Sequence, residues 1–286
     1  MDEISNDRVS GSTLLTNRVL DLLSLYLVRV GGGELELKDF ALSFRKFLKR
    51  VRELQPSMFA IQNMVDRVAE YQHTISGEAV DMQVKDILNY IAEQKEKMSQ
   101  DLPRMESNFD SMINQVSRIN TLSMSSAVIG CVSNLHAKGK VGEVIVCESR
   151  PGFEGRRTAA LLSVLGIHVT LIVDSAMRHF CDDCDFALIG ADAILGDGSV
   201  LNKIGSRMLA LSCKDAGIPF YVAAETMKVS RDYSMAIPPK VMEKPAEEVA
   251  KQNEIGKAVV KNIYFEVVPS ELITSIVTEE GIFRKP

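Results

Sequence analysis

The chain has 286 residues, 46% of them hydrophobic, which is enough to bury the core of one large or two modest domains. The chain has 33 basic and 38 acidic residues, and no segment concentrates five like charges. Nothing therefore indicates direct binding to nucleic acid. No stretch approaches the roughly eighteen apolar residues of a membrane span, and the acidic start lacks a signal-like apolar segment. We therefore expect a cytoplasmic protein that contacts no membrane.

The five cysteines form an odd set without the spacing of a disulfide framework, which is typical of reduced thiols in the cytoplasm. Cys181 and Cys184 make a CxxC pair, but a zinc ribbon requires a second pair and a redox site favours a helix N-terminus. We therefore expect no metal and no cofactor.

The first 115 residues predict an all-helical domain, because apolar residues recur at helical spacing between turn signals. A first helix follows Ser10-Gly11-Ser12 and stops at Gly31-Gly32-Gly33. The later helices are predicted around an apolar stripe from Phe40 to Val51 that Gln55-Pro56 ends, from Met58 to Val68, from Val84 to Ile91, and after Pro103.

Residues 116–286 predict a Rossmann-like α/β domain, because short β-branched runs alternate with helical segments, as in a parallel sheet with helices on both faces. Gly166 and Gly217 follow two of the helical segments, Arg156 to Leu165 and Ile204 to Ala216, where a left-handed turn is expected. The predicted strands are Val144-Val146, Val169-Val173, Phe186-Ile189 and Phe220-Ala223.

Charged and polar residues cluster directly after these strands, where parallel sheets bind ligands. Arginine forks, amines and helix N-terminal amides suit a sugar phosphate or a nucleotide phosphate. The segments are Glu148-Ser149-Arg150-Pro151 with Gly155-Arg156, Asp174-Ser175-Ala176, Gly190-Ala191-Asp192, Asn202-Lys203-Ile204-Gly205 at a helix start, and Glu225-Thr226-Met227-Lys228.

Each member of this cluster also has a structural interpretation. Arg150 and Arg156 could pair with Glu148 or Asp174 to hold loops, and Asp192 could cap a turn. Asn202 could be the N-cap of the following helix, while Lys203 and Lys228 could be surface lysines. The convergence of all of them on one sheet edge favours the phosphate site.

The same segments resemble a family that unites the α, β and δ regulatory subunits of translation initiation factor 2B with two sugar-phosphate isomerases. The resemblance is strongest from Gly190-Ala191-Asp192-Ala193-Ile194 through Gly198 to Gly205, and Phe265 to Pro269 and Ile276 to Gly281 are similar to the family's C-terminal signature. It implies a helical domain followed by a Rossmann-like domain, and a homodimer or higher oligomer.

In the family that the chain resembles, the isomerases convert ribose 1,5-bisphosphate or methylthioribose 1-phosphate to the corresponding ketose. They use a cysteine and an aspartate as acid and base. Asp192 matches the aspartate, but Ser123 stands in the cysteine position, and a serine hydroxyl is too weak an acid near neutral pH. Cys131 is expected to be a buried structural thiol, and Cys147, although better placed at a strand end, matches no family role.

Two further departures concern arginines that the resemblance places in the isomerases' phosphate site. Ser10-Gly11-Ser12 replaces an arginine-glycine-alanine turn, and Gln55 replaces an arginine before Pro56. Asp7 to Ser12 and Thr121 to Ser126 look instead like the δ and β regulatory subunits, so the chain resembles an archaeal-type relative of those subunits. The expected ligand residues are Ser10, Gly11, Ser12, Ser125, Arg150, Arg156, Asn202, Lys203 and Lys228.

Two functions from different classes follow from these residues. The leading hypothesis is a non-catalytic regulatory protein of the initiation factor 2B type, with a sugar-phosphate or nucleotide pocket and with initiation factor 2 subunits as possible partners. The alternative is a sugar-phosphate isomerase in which Asp192 is the acid or base. An unrelated dinucleotide-binding protein is disfavoured, because no Gly-x-Gly-x-x-Gly follows a predicted strand.

Overall fold

The computed structural model describes residues 1–6, 11–31, 36–55, 58–230 and 245–284. It divides into two compact units, Met1–Asp101 and Leu102–Pro286. None of the helices in these ranges is both long enough and apolar enough to cross a bilayer.

The first unit is helical, as the sequence predicts. In α3, Phe40, Phe44, Leu48 and Val51 are buried at helical spacing, while lysines and arginines fill the other faces. The helices are α1 Asp2–Asn6, α2 Ser12–Gly31, α3 Leu37–Arg52, α4 Phe59–Thr74 and α5 Val80–Asp110, the last of which continues beyond the first unit.

The prediction of a separate helix after Pro103 is wrong, because α5 runs through this proline without a break. A proline inside a helix removes a single backbone donor, and a helix of 31 residues retains the remaining bonds of its ladder. The domain boundary expected at residues 115 and 116 stays a prediction; it falls directly before the first strand, β1 Ser117–Leu122.

The second unit contains a mostly parallel sheet, which confirms the predicted fold class. The strand order is β10-β9-β7-β4-β1-β2-β3, and only β10 runs antiparallel to its neighbour. The remaining strands of this sheet are β2 Val141–Cys147, β3 Val169–Ile172, β4 Phe186–Ile189, β7 Phe220–Ala223, β9 Ser275–Thr278 and β10 Gly281–Arg284.

Alternate residues of the central strands point to opposite faces of the sheet and enter two separate apolar clusters. Ile145 and Cys147 belong to one cluster, and Val144 and Val146 belong to the other. Helices of the unit cover both faces: α6 Ser126–Ala137, α7 Glu154–Val164, α8 Met177–Cys181 and α9 Ser206–Ala216. The short α10 Gln252–Ile255 buries no residue. Gly166 and Gly217 follow α7 and α9 with φ of +82° and +72°, the predicted left-handed turns.

A second, antiparallel sheet has the order β5-β6-β8, with β5 Ala193–Ile194, β6 Val200–Lys203 and β8 Phe265–Val268. The expectation that Asn202 and Lys203 begin a helix is therefore wrong, because both belong to β6 and α9 starts at Ser206. The N-cap of α9 is Gly205, with φ of +99°, and not Asn202.

Candidate functional site

The candidate site lies where the strand order of the parallel sheet reverses. The strands β1 and β4 are neighbours, but the chain proceeds from β1 towards β2 and β3 on one side and from β4 towards β7 on the other. The loops that leave two such strands separate, and the crevice between them is the usual ligand site of open α/β sheets. Ser123 to Ser125 follow β1, and Gly190 to Asp192 follow β4.

Ser123, which replaces the cysteine of the isomerase pattern, has its backbone fixed on both sides. Its φ of +64° is uncommon for a residue other than glycine. Its amide donates to Ser149 Oγ at 2.6 Å, and its carbonyl accepts from Thr158 Oγ1 at 2.7 Å. The β1–α6 loop is therefore held by residues from the end of β2 and from α7.

Ser125 caps α6: its hydroxyl accepts from the amide of Val128 at 3.4 Å. It also lies against Gly190, where an added Cβ would stand 2.4 Å from Ser125 Oγ. The absence of a side chain at Gly190 thus lets the two loops of the crevice approach each other.

Asp192 is half-buried, and its amide donates to the carbonyl of Leu201 at 2.8 Å. Burial raises the pKa of this carboxyl to about 6, and the negative charge of Glu154 acts in the same direction, while the amines of Lys228 and Lys203 oppose the increase. A carboxyl with a pKa near neutrality can exchange a proton at physiological pH, which a general acid or base requires.

Lys203 is buried and already has a partner. Its amine lies 2.7 Å from Glu154 Oε1 and 4.2 Å from the centre of the Tyr264 ring, and only 4% of its side chain is exposed. The second oxygen of Glu154, Oε2, is buried without a hydrogen-bond partner among the described residues. The alternative interpretation of Lys203 as a surface lysine is thereby excluded.

Lys228 is also buried and paired, with its amine 3.0 Å from Glu225 Oε2. It lies on a short 3-10 helix, Thr226–Lys228, directly after β7. The first amide of this helix donates to the carboxylate of Glu279 at 3.0 Å, and the hydroxyl of Thr226 donates to the same group. Glu279, which follows β9, therefore fixes the segment that carries Lys228.

The two arginines of the predicted site are exposed at its rim. Arg156 binds Glu148 at 2.7 Å, as its structural interpretation predicts, and its guanidinium lies 3.8 Å from the centre of the Phe153 ring. Arg150 donates to the carbonyl of Val249 at 2.7 Å, and its amide donates to Asp174 at 2.7 Å. These contacts hold the loop after β2, and the exposed guanidiniums remain accessible to solvent.

Asn202 and the N-terminus of α9 also have internal partners. The side-chain amide of Asn202 donates to Ser206 Oγ at 2.9 Å within the buried part of the unit. The amides of Gly205 and Arg207, at the start of α9, donate to Glu266 Oε1 at 2.6 and 3.0 Å. The helix N-terminal donors expected for a phosphate are thus already bound to a carboxylate.

All five cysteines lie in the described part of the chain, and all are buried. Burial raises the pKa of the thiols of Cys131 and Cys147, and it raises that of Cys184 to about 12. A hydrogen bond between Cys181 and Cys213 lowers the pKa of the first thiol and raises that of the second. Cys131 and Cys147 are therefore poorly suited to replace a catalytic thiol at Ser123.

The positions in the helical half of the chain that were compared with the isomerases' phosphate site are Ser10, Gly11, Ser12 and Gln55-Pro56. Ser10 and Pro56 lie outside the described residues, and Gly11, Ser12 and Gln55 belong to the first unit, whereas the cluster above consists of second-unit residues. Within the described ranges, no group of three or more His, Cys, Asp or Glu side chains could hold a metal ion.

The sequence did not single out Glu154, Tyr264 or Glu266. Glu154 directly precedes Gly155-Arg156, so its position beside a predicted ligand segment was the available signal. Tyr264 and Glu266 lie about 60 residues after their partners in the sequence, and nothing local indicates the contact.

A mostly parallel sheet with a half-buried acid and two buried amines clustered beyond its carboxyl edge defines a Rossmann-like α/β protein with a polar cluster at that edge. The chain belongs to the family described as "Initiation factor 2 subunit family", whose profile matches residues 9–285. This confirms the resemblance inferred from the strand-end segments.

The relatives carry two kinds of name. A protein of Haloferax volcanii named ribose 1,5-bisphosphate isomerase is 30% identical over 98% of this chain and 86% of its own length. The crystal structure of a Pyrococcus horikoshii OT3 translation initiation factor eIF-2B matches with a TM-score of 0.83 and 27% identity over 100% of this chain and 95% of that one. The tetrameric eIF2B-β2δ2 complex of C. thermophilum, at 15% identity, TM-score 0.75 and coverage of 98% and 88%, shares the fold.

Proposed function

We propose that this protein is a non-catalytic regulatory member of the family, and that the cluster at the carboxyl edge binds a small sugar phosphate or nucleotide. The observation that carries the proposal is Ser123. Its backbone amide and carbonyl are both engaged in the loop after β1, and its hydroxyl replaces the thiol of the isomerase pattern.

The state of the five cysteines supports the non-catalytic assignment. Each is buried, and the thiols of Cys131 and Cys147 have raised pKa values, so neither forms a thiolate readily at neutral pH. Proton transfer between two carbons of a sugar requires an acid and a base, and Asp192 supplies only one of them.

The ligand part of the proposal depends on the positive groups that surround Asp192. Lys203 and Lys228 lie close enough to lower its pKa, and Arg150 and Arg156 are exposed on the segment that follows β2 at the same edge of the sheet. A phosphate offers several strong acceptors to such groups. The switch point of the sheet, between β1 and β4, is also where this fold class binds small ligands.

A specific observation favours the isomerase as the second candidate. The pKa of Asp192 is raised to about 6, near the pH at which an acid or base catalyst works best, and such values concentrate at active sites. A relative that matches almost the whole chain is named ribose 1,5-bisphosphate isomerase. This candidate requires a second proton-transfer group other than a thiol at position 123.

An isomerase assay with ribose 1,5-bisphosphate separates the two candidates. We expect wild-type protein to form no ketose, and the Ser123→Cys variant is measured beside it, because activity in that variant alone would mark a disabled enzyme. Ketose formation by wild-type protein that Asp192→Asn abolishes would reject the non-catalytic assignment.

Calorimetric titration with AMP, GMP, ribose 5-phosphate and ribose 1,5-bisphosphate tests the ligand part. Binding of at least one, weakened by Lys228→Met, is expected, and absence of binding by all of them at millimolar concentration would reject it. A suitable control is Glu143→Gln, since Glu143 lies on β2 near the opposite edge and pairs with Arg118.

The assembly that we propose is a homodimer or higher oligomer in the cytoplasm, with initiation factor 2 subunits as candidate partners. The support is membership of a family whose fold occurs in a tetrameric β2δ2 complex. Sedimentation equilibrium measures the mass of the assembly, and a monomer at micromolar concentration would contradict it.

A further inference from the structure

We infer that Glu154 is a built-in counter-ion of Lys203 that an anionic ligand has to displace, so that this carboxylate sets the affinity of the site for phosphate. The inference rests on the proposed function, because it concerns the same polar cluster. It assigns to Glu154 a specificity role that follows from its contacts alone.

The surroundings of the Lys203 amine leave little room for another partner. Glu154 Oε1 lies 2.7 Å from the amine, the face of the Tyr264 ring lies at 4.2 Å, and 4% of the lysine side chain is exposed. A buried ammonium group is strongly attracted to the carboxylate, because little water screens the pair. A phosphate can therefore reach this amine only by replacing Glu154 or by sharing the amine with it.

Glu154 is held by Lys203 through one oxygen only. The other oxygen, Oε2, is buried and accepts no hydrogen bond from the described residues, which is costly for a carboxylate. One carboxylate oxygen of the Glu154–Lys203 pair therefore lacks a hydrogen-bond donor among the described residues. A ligand that releases Glu154 towards water recovers part of this cost, and only the side chain has to rotate, because Glu154 is the first residue of α7.

Gly152 is an independent indication that the loop before α7 leaves space for the Glu154 carboxylate when it is paired with Lys203. A Cβ at Gly152 would stand 2.4 Å from Glu154 Oε1 and 2.9 Å from Oε2, so the carboxylate occupies space that any other residue would fill. Gly152 is exposed and its φ is not positive, so no unusual backbone angle requires a glycine here. The contribution of this glycine is the absence of a side chain. A methyl group there would push the flexible end of Glu154 away from Lys203.

The same carboxylate influences Asp192. Its negative charge raises the pKa of Asp192, whereas the positive charge of Lys203 lowers it. A dianionic phosphate would add two more charges to a cluster in which Glu154, Glu225 and Asp192 already face two lysines. With Glu154 paired to Lys203, the site therefore favours ligands of low charge. A phosphomonoester that binds there weakens the Glu154–Lys203 pair.

The test compares the affinities of four proteins for ribose 5-phosphate, a phosphomonoester, by calorimetry at pH 7.5 and low salt. These are the wild type, Glu154→Gln, Gly152→Ala and the charge-matched control Glu143→Gln. We expect Glu154→Gln to bind about tenfold more tightly than the wild type, a factor typical of one charge-assisted contact. Gly152→Ala should shift in the same direction, and Glu143→Gln should match the wild type.

The outcomes separate this inference from the proposed function. If the wild type binds and Glu154→Gln binds equally well or more weakly, Glu154 only positions Lys203, and the inference fails while the ligand site stands. Tighter binding by both Glu154→Gln and Gly152→Ala supports the inference, even where wild-type binding is too weak to measure. If none of the four proteins binds, the inference and the ligand part of the proposed function both fail.

Discussion

Ser125 and Gly190 connect the two loops of the crevice: a Cβ on Gly190 would stand 2.4 Å from Ser125 Oγ and 2.7 Å from Ser125 Cβ. Ser125 cannot easily turn away, because its hydroxyl caps α6 through the amide of Val128. At the switch point of the sheet, the loop after β1 and the loop after β4 thus contact each other through two small residues.

The Gly190→Ala substitution should therefore destabilise the protein by about 1–3 kcal/mol, the usual cost of overpacking. Urea denaturation measures the loss, with Gly77→Ala as the control, because a Cβ at Gly77 meets nothing within 4 Å. The double variant Ser125→Gly/Gly190→Ala should recover part of the loss. A Gly190→Ala protein as stable as the wild type would show that the loops separate freely.

The large elements of this fold could be read from the sequence, since their patterns are local. The strands β4 and β7 coincide with the predicted runs Phe186-Ile189 and Phe220-Ala223, because buried parallel strands are uninterrupted apolar segments. The strand β6 was mistaken for a helix start, because Asn202 and Lys203 interrupt its apolar pattern and it is only four residues long.

The predicted site residues were partly brought together, but their partners could not be read from the sequence. Asp192, Lys203 and Lys228 share one electrostatic environment, whereas Asn202 bonds to Ser206. The pair Glu154–Lys203 spans 49 positions and forms only after α7 and β6 have packed into the same unit. Spacing in the sequence contains no information on such a pairing.

Glu279 is expected to support the position of Lys228, since it accepts the first amide of the 3-10 helix Thr226–Lys228. The Glu279→Ala variant removes the charged acceptor of this half-buried amide and of the Thr226 hydroxyl, which should cost about 1–3 kcal/mol of stability. It should also weaken phosphate binding, because the Lys228 segment loses its anchor. Thermal denaturation and calorimetry measure the two effects.

The control for Glu279→Ala is Glu271→Ala, which removes another carboxylate of the same C-terminal region that is exposed. We expect it to change stability by less than about 0.5 kcal/mol, as is usual for surface positions. Equal losses in the two variants would contradict the anchoring role of Glu279.

The cysteines should be unreactive in the native protein, because all five are buried. Labelling with iodoacetamide at pH 7.5 should modify no cysteine rapidly in the wild type, whereas denaturation should expose five thiols. The Ser123→Cys variant should gain one fast-reacting thiol, because position 123 is half-buried at the end of β1. Mass spectrometry locates the modified residue, and rapid native labelling of Cys147 would reopen the search for a catalytic thiol.

Asp192 should destabilise the folded protein at neutral pH, since its pKa is raised to about 6 from an ordinary value of 3.8. The folded state binds this proton more tightly than the unfolded chain does, so the stability contributed by the protonated form is complete below pH 4 and is lost as the pH rises through 6. Asp192→Asn keeps the shape without the charge. We expect the variant to be more stable than the wild type by roughly 1–3 kcal/mol at pH 7.5 and equal to it at pH 4.

Urea denaturation of the wild type and Asp192→Asn between pH 4 and pH 8 measures this dependence. Such a cost is typical of a group retained for binding or chemistry rather than for folding. The Lys228→Met variant tests whether the pKa of Asp192 causes this pH dependence. Loss of the Lys228 charge should raise that pKa further and enlarge the gain in stability from Asp192→Asn at pH 7.5. A stability difference between wild type and Asp192→Asn that does not change over this pH range would mean that Asp192 titrates at its ordinary pKa, and that burial does not hold its proton.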